Sequence, residues 1–257
     1  MQIKYLDHFF DQKSKEIMKY LKKILRKFGL EIKRTVGQVS LESHLKSVLD
    51  KNQIDLVIDV GANIGQYGDW LRFMGYKGDI LSFEPLPSAF KLLSEKSNKD
   101  KRWRSANIGL GDSKEVKYIN EYENSSFSSI LTVNDFASNR FSGLINSAKV
   151  AISVDTLDNY LKKTPDYRNR RIFLKMDTQG YDLNVFRGAK CTLDACRAIQ
   201  TELSFIDLYD GMPSYREVLH EFEADGYGVS GIFAISRNID LQIIEADCVL
   251  IRSTTAA

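Results

Sequence analysis

Two glycine-bounded turns and a few acids at expected strand ends hold most of the chemistry this chain offers. Ile54–Tyr67 reads IDLVIDVGANIGQY: the apolar run of Leu56, Val57, Ile58 and Val60, broken by Asp59, stops at Gly61-Ala62-Asn63-Ile64-Gly65. A β-branched run of that length, ended by glycines and followed by an amphipathic stretch, is a buried parallel strand turning into a helix. Gly61 and Gly65 let the backbone pass closer to a ligand than any Cβ would allow. The helix that follows offers unpaired N–H groups to the same space. Glu84 then ends a second apolar run, DILSF, directly before Pro85. At that strand tip of a βαβ unit an acid is placed to accept hydrogen bonds from both hydroxyls of a ribose. The plainer readings are a ligand-free turn and a surface acid before a proline.

A second group of reactive residues lies further on. Asp177-Thr178-Gln179-Gly180 follows RIFLKM, and Glu202 stands near the end of RAIQTEL. Carboxylates at the ends of adjacent strands can take a proton from a hydroxyl, and two that converge can hold a divalent cation. Only two good ligands are visible, so no metal is assigned. Asp177 is read as the base or the group that orients the acceptor, with Lys175 and Glu202 as supporting or substrate contacts. It could also cap a helix starting at Tyr181, with Thr178 sharing the role. No histidine competes: His8 and His44 fall in the N-terminal helical region and His220 inside a late helix.

The elements needed to position these residues follow from hydrophobic period. Residues 14–28 carry Ile17, Leu21, Ile24, Leu25 and Phe28 at helical steps with lysines between them. Such a basic amphipathic helix can lie on anionic lipid or bind a partner; the commoner arrangement packs its apolar stripe on the domain. A second helix is expected over Leu41–Leu49. Strands are expected at Asp79–Phe83, Trp103–Ile108 (with Asn107 near its end), Ser113–Asn120, Arg171–Met176 and Arg197–Leu203, and a strand running into a helix at Ile152–Tyr160. Helices are expected at Gln66–Met74, Leu86–Asn98, Tyr181–Gly188 and Pro213–Ala224. Tyr227–Ile235 and Ile243–Ile251 are spaced for a hairpin carrying the only antiparallel member of the main sheet. Residues 121–150 are polar and irregular and read as a lid or specificity insertion. The fold class is therefore α/β: a Rossmann-like, seven-stranded, mostly parallel sheet with a terminal antiparallel hairpin and helices on both faces. The organisation is a helical appendage over 1–50 and one domain over 51–257.

Size and composition agree with that architecture. A chain of 257 residues buries roughly 70–75% of the surface its extended form exposes, enough for one large domain without staples. Cys191, Cys196 and Cys248 form no C-x-x-C pair and have no matching histidines, so neither a zinc site nor a disulfide framework is suggested. The expectation is a reducing, cytoplasmic location, with no signal-peptide core and no apolar run long enough to span a membrane. A net charge of +2 argues against a dedicated nucleic-acid binder. The basic excess between Asp11 and Arg34 is local.

The turn lacks the third glycine of a dinucleotide fingerprint, because position 63 is Asn, and no G-K-[ST] follows. Its D-x-G-x-x-x-G form resembles class I S-adenosylmethionine-dependent methyltransferases. Six pieces extend the likeness: DVGANIGQY at 59–67, SFEPLPSAF at 82–90, NIGLGD at 107–112, SVDTLDNY at 153–160, KMDTQGYDLNVFRGA at 175–189 and QTELS at 200–204. Together, in order, they resemble the FkbM-type family of these enzymes. The resemblance implies S-adenosylmethionine as cofactor and O-methylation of a sugar, glycolipid or other natural product. It implies that Gly61, Asn63 and Gly65 wrap the methionyl part, Glu84 holds the ribose and Asn107 or Ile108 reaches the adenine. Tyr67 and Pro85 are expected among the cofactor contacts as well. Asp59 either meets the cofactor's ammonium indirectly or is a satisfied polar group under the turn. Many family members carry Glu where this chain has Gln179. N-methylation, a binding protein without turnover and an NAD enzyme are the competing functions.

Overall fold

A computed structural model of the chain describes residues 40–253 except 124, 145–147 and 164, together with positions 20, 21, 23–25 and 27. The chain divides into two compact units, 1–40 and 41–257. Most of the helix expected over 14–28 lies outside the described residues; the positions of it that are described are helical. Among the described residues no helix is long and apolar enough to cross a membrane.

The larger unit starts at α1 (Leu41–Lys51), which the sequence reading set with the appendage; it buries Leu45, Val48 and Leu49. The chain continues through β1 (Leu56–Val60), α2 (Gln66–Phe73), β2 (Asp79–Phe83), α3 (Pro87–Ser97) and β3 (Trp103–Ala106). Next come β4 (Gly109–Leu110), β5 (Glu115–Glu121), α4 (Asp135–Arg140), β6 (Ala148–Asp155) and α5 (Leu157–Leu161). The remainder is β7 (Ile172–Met176), α6 (Asp182–Arg187), α7 (Lys190–Leu193), β8 (Cys196–Ser204), α8 (Tyr215–Ala224), β9 (Tyr227–Arg237) and β10 (Ile243–Arg252). The main sheet has the order β3-β2-β1-β7-β8-β10-β9. Pairing is parallel from β3 to β8, and β10 alone runs antiparallel, between β8 and β9. This is the seven-stranded sheet with terminal hairpin that the sequence implied.

Register explains how the sheet serves a site. Every residue of β1 is buried, because alternate side chains enter cores on opposite faces: Leu56, Ile58 and Val60 on one, Val57 on the other. On the second face Val57, Phe173 and Ala198 lie side by side. Two residues further along, the same face carries the row Ser82, Asp59, Lys175 and Gln200. Two further again it carries Gly61, Asp177 and Glu202, with Asp247 opposite Glu202. The face thus changes from apolar to ionic at the carboxyl ends of the strands, where ligands of open α/β sheets bind.

Two expectations need correction. The third strand stops at Ala106 rather than Ile108, because Asn107 turns the chain there and Gly109–Leu110 joins a different sheet. That second sheet, ordered β4-β6-β5, holds the strand expected over Ser113–Asn120 as β5, antiparallel to β6 and at the edge. The stretch 121–150 is not irregular throughout. It holds a 3₁₀ turn at Ser125–Phe127 and helix α4, whose N-cap Asn134 accepts from the Ala137 N–H. Ala137, with Leu131, Val133 and Phe141 beside it, packs against Leu208, Tyr209 and Ile244 as a small core of its own. Short runs of apolar residues among polar ones hid this, since no single period spans them.

Candidate active site

The carboxyl ends of β1, β2, β7 and β8 surround a cavity of about 550 Å³, within the usual range for small-molecule sites. Its wall includes Gly61, Asn63, Tyr67, Glu84, Pro85, Ile108, Lys175, Asp177, Gln179 and Glu202. Ser125, Ser126, Ser128 and Ile130 bring the insertion to the same cavity. Three residues assigned to the cofactor from sequence, Asp59, Gly65 and Asn107, are not part of the wall.

The turn after β1 is left-handed at Gly61 (φ 76°), Asn63 (φ 47°) and Gly65 (φ 85°). Protein contacts also demand the glycines: a Cβ at Gly61 would lie 1.9 Å from the Asp177 carbonyl oxygen, and one at Gly65 would press on Leu93 and Trp103. Glu84 holds the turn closed. Its Oε2 accepts from the Asn63 N–H at 2.8 Å and its Oε1 from the Leu86 N–H at 2.8 Å. The side chain is 5% exposed, and burial pushes its pKa up to about 7 against the pull of those two N–H bonds. Asn107 acts one layer below. Its Nδ2 donates to the carbonyls of Glu84 at 2.9 Å and Pro85 at 3.0 Å, leaving Ile108 to face the cavity.

Asp59 lies under the turn, with its Oδ1 buried and held by an ion pair rather than by a hydrogen bond. It is fully buried, accepts from Ser82 Oγ at 3.2 Å, and its Oδ1 lies 3.1 Å from Lys175 Nζ. Lys175 Nζ also lies 3.3 Å from Asp177 Oδ2 and packs over the Tyr67 ring. Burial opposes the charge of Lys175, but Asp59 and Asp177 outweigh it and raise its pKa above the ordinary lysine value. Tyr67 in turn donates to Gln200 Oε1 at 2.7 Å, and Gln200 Nε2 donates to Asp247 at 2.8 Å.

Asp177 does not cap the following helix. Nor does the N-cap residue Tyr181 make a side-chain cap bond; Asp182 braces the preceding turn, accepting from the Thr178 N–H and hydroxyl through Oδ1 and from Thr201 through Oδ2. Asp177 is instead 42% exposed toward the cavity. Its Oδ1 accepts from Gln179 Nε2 at 3.0 Å, and the same nitrogen donates to Glu202 Oε2 at 3.0 Å. Burial first, then the charges of Asp177, Glu245, Asp182 and Asp247, hold the Glu202 carboxyl well above the usual carboxylate range. Glu245 and Asp247 are raised as well, chiefly by burial. Lys175 is the cation among the described residues of the wall. No group of three His, Cys, Asp or Glu among the described residues is arranged to hold a metal ion.

The sequence reading missed Gln200 and Asp247. Gln200 could have been found by stepping two residues back from Glu202 along the strand. Asp247 arrives opposite Glu202 through a strand pairing that no local pattern announces.

The strand order, the single antiparallel strand and a site at the carboxyl ends define a class I methyltransferase of Rossmann-like fold. A model of the FkbM methyltransferase domain matches residues 59–229, and the chain belongs to that family. It is accordingly an S-adenosylmethionine-dependent methyltransferase. No curated protein matches the sequence. Among solved structures, the chain is similar to the FkbM methyltransferase of Methylobacillus flagellatus KT at 13% identity and a TM-score of 0.47, covering 77% of this chain and 43% of that one. It is similar to magnesium protoporphyrin IX methyltransferase from Synechocystis PCC 6803, solved with bound cofactor, at 9% identity and a TM-score of 0.44, covering 95% and 85%. An rRNA methylase from Streptococcus thermophilus gives 11% identity and a TM-score of 0.45, covering 87% and 99%. The assignment rests on the family match, not on these likenesses.

The residues present fit S-adenosylmethionine. Glu84 supplies a carboxylate beside the turn for a ribose diol, and Leu86, Ile108, Leu110 and Ile152 supply apolar wall for a base. Lys175 is engaged by Asp59 and Asp177, so no free cation on the described wall awaits a pyrophosphate. When bound, the cofactor supplies a methyl group on a sulfonium.

Proposed function

We propose that this enzyme methylates a hydroxyl group of a sugar, glycolipid or other natural product, with Asp177 as general base. The observation that carries the reading is the setting of Asp177: open to the cavity, fixed by Lys175 on one oxygen and by Gln179 on the other. An aliphatic hydroxyl attacks poorly unless its proton leaves as the new bond forms, and a positioned carboxylate can take it. Methyl transfer is an in-line displacement, so the chain's other task is to align the hydroxyl and exclude water. Lys175 stabilises the ionised carboxylate before transfer, and the Gln179 amide fixes its plane.

The surrounding acids favour a neutral acceptor. The Asp177 carboxylate would repel a phosphate or carboxylate next to the reacting group, while a polyol offers O–H donors to Asp177, Glu202 and Asp247 on the wall. An amine is disfavoured as substrate, because the Asp177 carboxylate would keep it protonated and without a lone pair. Gly61, Asn63, Glu84, Pro85, Tyr67 and Ile108 are assigned to the cofactor, and Asp59, Gly65 and Asn107 to holding those residues in place. Three free cysteines, one of them exposed, support a reducing, cytoplasmic setting.

The test is an acceptor panel of neutral glycosides, glycolipids, polyols and amines, incubated with the full chain and S-adenosylmethionine and read by product mass. A product heavier by one methyl on oxygen, with Asp177→Asn lowering kcat by about 10²–10⁴-fold, is the expected result. Methylation on nitrogen alone, or full activity in Asp177→Asn, would overturn the reading.

A further inference from the structure

We propose that Gln179 is a positioning residue, which, anchored by Tyr209, locks Asp177 and Glu202 into one hydrogen-bonded array facing the acceptor. The inference rests on the methyl-transfer reading for what Asp177 does there. Its geometry stands separately.

The orientation of the Gln179 amide is dictated from behind. Tyr209, 2% exposed, donates its hydroxyl hydrogen to Gln179 Oε1 at 2.7 Å. With its oxygen so engaged, the amide turns both N–H bonds of Nε2 forward, one to Asp177 Oδ1 and one to Glu202 Oε2. The flipped amide would set Oε1 against two carboxyl oxygens and lose both forward bonds, while the Tyr209 hydroxyl would accept from the NH₂ group and donate only to the Phe127 carbonyl, 3.2 Å away.

The backbone is held as firmly as the side chain. Gln179 sits at φ 54°, a left-handed conformation uncommon for a residue with a Cβ, and Gly180 follows at φ 88°. The Gln179 carbonyl accepts from Ser129 Oγ at 2.7 Å, and a Cβ at Gly180 would press on Leu131 and Met212. A local strain maintained by contacts from two other segments points to a role for the geometry it produces.

In this chain an amide meets the chemical demand at this point. It offers two N–H donors to two carboxyl groups without adding charge. A glutamate there would face Asp177 and Glu202 with no donor unless it kept a proton. The charged and titratable groups around the array add to that pressure: Asp59 from β1, Tyr67 from α2, Lys175 from β7, Asp182 from α6, Glu245 and Asp247 from β10, and Tyr209 from the loop before α8. Lys175 is the counter-charge among them, and it is shared with Asp59.

The test uses the full chain with S-adenosylhomocysteine as probe. Carboxyl carbons of labelled Asp and Glu are titrated by nuclear magnetic resonance, with Asp177→Asn and Glu202→Gln identifying the two signals. In Gln179→Glu the apparent titration of the Asp177–Glu202 pair should rise by about one pH unit or more. In Tyr209→Phe, a near-isosteric change, the same two signals should move in the same direction by less. S-adenosylhomocysteine affinity should change by less than about threefold in both (~0.65 kcal/mol or less). A folded Gln179→Glu protein whose pair titrates as in the wild type would overturn the proposal, as would a Tyr209→Phe protein whose two signals do not move. Absence of S-adenosylhomocysteine binding in the wild type would count against the methyl-transfer reading, and the titrations would still judge Gln179.

Discussion

Glu84 performs two tasks that pull on its proton in opposite ways. Burial lifts its pKa to about 7, while the Asn63 and Leu86 N–H bonds favour the charged form. With a folded-state pKa above the unfolded one, the native state binds the proton more tightly. Ionising Glu84 therefore costs stability as pH rises from the ordinary glutamate range to about 7, and nothing further is lost above it. Ribose hydroxyls need the ionised form. S-adenosylmethionine should then bind about tenfold more weakly at pH 6 than at pH 8, the ratio of ionised fractions for a group titrating near 7. Calorimetry at the two pH values checks this, and Glu84→Gln should bind weakly at both. Lys175 gives a second test. Lys175→Met leaves Asp59, fully buried, without its cation, and such a loss costs about 3–5 kcal/mol. Urea unfolding of the variant measures it; a cost below about 1 kcal/mol would mean the buried pair does not stabilise the sheet as argued.

At the scale of elements, the turn after β1 and the tip of β7 must pass within van der Waals contact. Gly61→Ala places a methyl 1.9 Å from the Asp177 carbonyl oxygen at a backbone angle that disfavours any side chain. The variant should lower Tm and weaken S-adenosylmethionine binding together, as thermal melts with and without the cofactor would reveal. The sequence disclosed this turn through its glycines and the β1 run through its β-branched residues, because both signals are local. It disclosed the terminal hairpin through two well-spaced apolar runs. It did not disclose the second sheet. β5 and β6 pair across an insertion whose apolar residues follow no single period, and β4 is two residues long. Asn107 was read as a ligand contact for a similar reason. Its position at a strand end was correct, but its amide bonds to the backbone of the neighbouring tip, a non-local choice. Asp177 and Glu202 were legible because β7 and β8 were. The Gln179 bridge that joins them was not, since Tyr209 and Ser129 come from two loops elsewhere in the chain.

For the molecule as a whole, the charge balance of the cleft sets which acceptors can approach. The overall net charge of +2 conceals a site wall on which the one lysine is already paired and several acids gather. Any neutral acceptor that turns over should lose at least about tenfold in kcat/KM when a phosphate or carboxylate is added beside the reacting hydroxyl. Raising ionic strength should narrow that gap, because salt screens the repulsion; steady-state kinetics on paired acceptors at two salt concentrations reads both effects. The claim on which the rest depends is that the turn, Glu84 and Asp177 grip one ligand between them. A crystal structure of the chain soaked with S-adenosylhomocysteine tests it most directly. The account predicts the ribose hydroxyls on Glu84, the base against Ile108 and the sulfur turned toward Asp177. A cavity left empty at saturating ligand, or a ligand bound with Glu84 facing away from it, would contradict the account.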